Sequence, residues 1–112
     1  MQITEEIKNQ ILEILFKHLD EDCLTVFVFG SYAQNQAKSY SDIDIGIFYG
    51  YDLSLTEVLR IKSELNETIR TLRDIDLVNF SGNLDEKFKK IALKEVIIWH
   101  QGKESKAFQN NI

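Results

Sequence analysis

Apolar positions along the chain fall into two rhythms. Ile7, Ile11, Ile14, Leu15 and Leu19 recur at helical spacing, with Thr4 as a plausible N-cap and Glu5 and Glu6 at the positive end of the first turn. This predicts an amphipathic helix over 4–18. Residues 24–29 are apolar and β-branched and stop at Gly30, which fits a buried strand. From 42 to 49 the pattern alternates: Ile43, Ile45 and Ile47 take one face, Asp42, Asp44 and Gly46 the other. The isoleucines are expected to enter a core. Gly46, with no side chain, is expected to leave room for a substrate on the carboxylate face.

Helical spacing returns after Gly50. Ser54 and Glu57 form a capping box, Leu53 can pack on Val58, and Val58, Ile61, Leu65, Ile69 and Leu72 extend one stripe to about Leu72. Arg70 and Arg73 suit the negative end of that helix. Residues 75–80 read as a third strand, and Gly82-Asn83 breaks it. Asn83, with Glu86 three residues on, is expected to cap a helix whose buried side is Leu84, Phe88, Ile91 and Ala92. A short strand is expected over 96–99. After Gly102 the chain turns polar, so the expected division is one domain over 1–102 and a loose tail over 103–112. Together these elements predict an α/β (α+β) fold, a small mixed sheet flanked by helices.

Composition narrows what such a domain does. With 112 residues and 44% hydrophobic positions, the chain can bury a single core. No apolar run approaches the roughly 20 residues that span a bilayer, and the N-terminus has no charged-then-apolar leader. A cytoplasmic protein with no membrane partner is expected. Cys23 is alone, which excludes an intrachain disulfide and a cysteine metal cluster. The net charge of −5 argues against gripping a long nucleic acid, though not against one nucleotide carried with its cation.

The chemistry gathers at two places. Gly30 permits a sharp bend and close approach of a ligand to the backbone, and Ser31 adds a hydroxyl where free N–H groups favour anions. Asp42 and Asp44 share a strand face and repel each other when desolvated. Mg²⁺, which takes one or two carboxylates plus waters and substrate phosphates, removes that conflict. Asp76 is a further carboxylate inside an apolar strand, costly unless paired or metal-bound. Asp74 shares its face but lies nearer the helix end. His18 and His100 read as ordinary helix-end or surface residues. Tyr32, Tyr40, Tyr49 and Tyr51 flank the motif in sequence and could stack on a base or simply pack.

Gly30-Ser31, ten intervening residues, then Asp42-Ile43-Asp44 resembles the signature of the minimal nucleotidyltransferases of the DNA-polymerase-β-like superfamily. The resemblance covers most of the chain. It implies the polymerase-β-like fold, with Asp42, Asp44 and Asp76 as a catalytic triad holding one or two Mg²⁺, and Gly30 and Ser31 binding the phosphates of ATP. The family usually has an arginine and a glycine where this chain has Gln34 and Asn35, which removes a phosphate contact that Lys38 would have to replace. Members of this size resemble antitoxins paired with all-helical HEPN ribonuclease toxins, adding AMP to a tyrosine hydroxyl of the toxin. That implies a hetero-oligomer with a HEPN partner. The alternative is a weakened module that neutralises its partner by contact alone. A third reading, a small-molecule nucleotidyltransferase, would need an acceptor pocket that this length hardly supplies.

Overall fold

A computed structural model describes residues 3–38 and 41–105. Helix α1 (Glu5–His18) begins at Thr4, whose side chain accepts from the Ile7 amide, as its sequence predicts. A short 3₁₀ turn leads into β1 (Leu24–Phe29), and then come β2 (Ile43–Tyr49), α2 (Leu55–Thr68), β3 (Ile75–Asn79), α3 (Glu86–Ala92) and β4 (Ile97–Gln101). The sheet is mixed, in the order β3-β2-β1-β4. Its centre, β1, runs antiparallel to both β2 and β4, while β2 and β3 are parallel and joined through α2. The architecture is the small helix-flanked mixed sheet that the hydrophobic pattern implies.

The two faces of the sheet are covered differently. Val26 and Val28 of β1, Ile43, Ile45 and Ile47 of β2, and Ile75 and Leu77 of β3 pack under Ile11, Ile14 and Leu15 of α1 and Val58, Ile61 and Leu65 of α2. On the opposite face Phe27, Phe29 and Phe80 pack with Ala92 of α3. Strict alternation in β2 assigns its isoleucines to the first face and Asp44 and Gly46 to the second.

Gly46 departs from its expected role. A Cβ there would lie 2.8 Å from Phe80 Cε1 and would also overlap the Phe27 ring. The absent side chain makes room for two fully buried phenylalanines rather than for a ligand. Gly46→Ala is therefore expected to overpack this layer and cost about 1–3 kcal/mol, read as a lowered urea midpoint at unchanged m-value.

Other boundaries also move. Helix α2 stops at Thr68 with Ile69 already extended, so Leu72 is fully exposed instead of extending the stripe. The capping box at Ser54 and Glu57 is present in full. Asp85, not Asn83, caps α3, accepting from the Phe88 amide at 3.2 Å. Residues 103–105 are held against the domain: the Glu104 amide donates to the Asp22 carbonyl at 2.8 Å, and buried Ser105 hydrogen-bonds Thr25. The rest of the expected tail, 106–112, lies outside the described residues.

Candidate active site

Gly30 ends β1 with φ 74° and opens a turn in which the Gln34 amide donates to the Gly30 carbonyl at 3.1 Å and the Gln36 amide to Ser31 at 2.8 Å. Asn35 holds φ 58° within that turn. Asparagine tolerates this left-handed region, so the residue where the family has glycine keeps a backbone shape open to glycine. A Cβ on Gly30 would overlap Asp44 Oδ2, so the bend presses against the carboxylate of the neighbouring strand. The Gly-Ser bend and the Asp-x-Asp strand, apart in sequence, meet through this contact.

Register places the carboxylates. Asp44 pairs with Phe29 on β1 and with Asp76 on β3, so the three side chains form one row across the sheet. A cavity of about 300 Å³ opens over that row. Gly30, Gln34, Asp44 and Asp76 form its polar side, and Phe29, Val78, Phe88, Ile91 and Ala92 its apolar wall. Burial first, then the negative charges of Asp76 and Asp42, push the Asp44 carboxyl up to about 6. Asp42 stands exposed just before β2, close enough to act on Asp44 by charge, but it does not line the cavity. Ser31 is half-buried and also off the lining, with its amide at the start of the turn. Asp74 is exposed, and its carbonyl accepts from the Ile43 amide at 2.9 Å; the carboxylate beside Asp44 is that of Asp76.

Asp76 is tethered. Its Oδ1 accepts from the Leu77 amide at 3.0 Å and pairs with Lys62 Nζ at 3.0 Å. Among the described residues, no three of His, Cys, Asp and Glu are gathered as a metal-holding group. The donor set still suits a hard cation, because Mg²⁺ needs only one or two carboxylates and completes its shell with waters and phosphate oxygens.

The tyrosines do not gather at this cavity. Tyr32 is buried beneath Arg73, 5.7 Å from its ring. Tyr49 accepts from the Asp20 amide at 2.9 Å and, with Tyr51, lines a different groove beside Cys23 and Glu104. Tyr40 lies outside the described residues. Lys38 is exposed and does not reach the lining, so the polar group nearest the missing arginine is the uncharged Gln34. Phe88 and Ile91, expected from helical spacing on the buried side of α3, are instead exposed and wall the cavity, a role that periodicity alone does not mark.

The family model "Polymerase beta, Nucleotidyltransferase" matches residues 9–104. A protein of Methanocaldococcus jannaschii described as "Putative protein adenylyltransferase" is 38% identical over 76 residues, 68% of this chain and 76% of the relative. Among solved structures, a chain from the complex of tri-AMPylated Shewanella oneidensis HEPN toxin with MNT antitoxin superposes with TM-score 0.69 at 17% identity, covering 90% of this chain and 75% of that one. A toxin–antitoxin complex with AMP-PNP matches at TM-score 0.69 and 18% identity, over 86% and 74% of the two chains. Among the described residues no helix is long and apolar enough to cross a membrane. The match over residues 9–104, with a relative of 38% identity beside it, places this chain in the polymerase β nucleotidyltransferase family.

Proposed function

We propose that the chain transfers AMP from Mg²⁺–ATP to a tyrosine hydroxyl of a HEPN-type toxin and acts as that toxin's antitoxin in the cytoplasm. The observation that carries this reading is the pairing of Asp44 with Asp76 across adjacent strands, in one cavity with Gly30. The names of the relatives, an adenylyltransferase and an MNT antitoxin with its AMPylated toxin, supply the acceptor class.

In this reading Asp42, Asp44 and Asp76 hold one or two Mg²⁺. When bound, the cation neutralises phosphate charge and lowers the pKa of the attacking hydroxyl. Ser31 and the amides that follow Gly30 bind the β- and γ-phosphates. The hydroxyl oxygen forms a bond to the α-phosphorus, the bond from that phosphorus to the bridging oxygen breaks, and pyrophosphate leaves. Asp76, beside Asp44, would help the bound cation activate the incoming hydroxyl, whose proton passes to solvent. Phe29, Phe88 and Ile91 form an apolar wall beside the reacting groups. Positioning and charge stabilisation supply most of the rate.

Incubation with α-labelled ATP, Mg²⁺ and the HEPN partner tests this. Label is expected on a tyrosine of the partner and is expected to vanish with Asp42→Asn. Partner inhibition that persists in Asp42→Asn, with no label in either case, would instead establish neutralisation by contact alone.

A further inference from the structure

The third carboxylate sits on the sheet's outer strand. Among the described residues, no strand lies along the edge of β3 away from β2, so its outward backbone groups need partners from elsewhere. Asn66 supplies them at Ile75: its Oδ1 accepts from the Ile75 amide at 2.9 Å, and its Nδ2 donates to the Ile75 carbonyl at 2.8 Å. The next amide of the same parity, Leu77, donates to Asp76 Oδ1. Lys62, one helical turn before Asn66 on α2, adds its ammonium to the same oxygen, and Asn66 Nδ2 also reaches the Lys62 carbonyl at 2.9 Å. Oδ1 thus has two donors, while Oδ2 takes no hydrogen bond among the described residues.

We propose that Lys62 and Asn66 are positioning residues: together they lock β3 and turn Asp76 so that Oδ2 is the oxygen presented to the cation and the acceptor. This rests on the functional reading above, in which Asp76 is a ligand. The Lys62–Asp76 pair is about two-fifths exposed on both sides, a setting in which ion pairs contribute little stability. Its value lies in orientation, as for the outer partners that aim metal ligands elsewhere.

Mn²⁺ binding, measured by electron paramagnetic resonance with AMP-PNP present, needs no turnover and decides the matter. Lys62→Gln is expected to weaken Mn²⁺ binding about 10-fold, the lower end for lost outer partners, with Lys62→Arg restoring most of it and the melting temperature little changed. Asn66→Ala is expected to act in the same direction with some loss of stability. Asp76→Asn should weaken binding at least as much, and adding Lys62→Gln to it should cost nothing more. Unchanged or tighter binding in Lys62→Gln, or additive losses in the double variant, would overturn the proposal. If Asp76→Asn itself leaves binding intact, Asp76 is no ligand, and the functional reading falls along with the positioning role.

Discussion

Asp44→Asn is expected to abolish nucleotidyl transfer, by at least about 100- to 1000-fold, and yet to make the metal-free protein melt higher than wild type at pH 8. Both effects come from one carboxylate. Its ordinary value of 3.8 is pushed up to about 6 by burial and by Asp76 and Asp42. Between those values the folded protein holds a proton that the unfolded chain has released, so this group's contribution to stability falls as pH rises from about 4 to 6 and stays low above that. A displacement of that size corresponds to almost 3 kcal/mol at most. Solvent reaching a half-buried group lowers the expected gain to about 1–2 kcal/mol, or roughly 4–10 °C for a domain of this size. Asparagine keeps the shape and removes the charge. The gain should be full above pH 6, shrink between 6 and 4, and disappear below the ordinary carboxylate value. Adding Mg²⁺ with AMP-PNP should raise the melting temperature of wild type at pH 8 and leave Asp44→Asn nearly unmoved. Equal melting of the two proteins at pH 8 without metal would mean that the site carries no such unrelieved charge.

This conflict is legible in the sequence because the signals are local. Alternation in Asp-Ile-Asp-Ile-Gly puts both carboxylates on one face, and Ser54 with Glu57 marks a helix start through contacts three residues apart. What the sequence could not show depends on strands meeting. Nothing in the residues around Gly46 reveals that β1 brings Phe27 beside it, or that Phe80 closes over the same spot. Leu72 keeps helical spacing, but the chain has already left the helix at Ile69, and β3 then runs back beside Asn66 and Lys62. Asn83 and Asp85 are both good caps, and the choice between them depends on where α3 lands on the phenylalanine layer. Lys62 has no local mark at all, since a lysine on an exposed helix flank is the commonest of surface residues. For Asn35 the position read as a departure from the family pattern proves to be one of residue type, and the left-handed turn it serves is intact.

Gly30→Ala is expected to be the most damaging single methyl addition at the site. Two costs coincide there. A φ of 74° is strained for alanine, at about 1–2 kcal/mol. The new Cβ would also overlap Asp44 Oδ2, so either the turn or the carboxylate must move. A total loss of about 2–4 kcal/mol is expected, together with loss of nucleotide binding under the proposed function, which gives the turn after Gly30 the phosphates and Asp44 the cation. Gly82→Ala provides the contrast: its Cβ would meet ordinary contacts, the nearest at 3.7 Å, so melting and activity should barely change. The two costs separate in a cycle with Asp44→Ala, which removes the oxygen that the new methyl would strike. In that background Gly30→Ala should cost only its backbone strain, so the coupling between the two positions measures the contact by which bend and strand are fitted to each other. Strict additivity would show that Gly30 serves the turn alone, and that the approach of the bend to the Asp44 carboxylate carries no energetic weight.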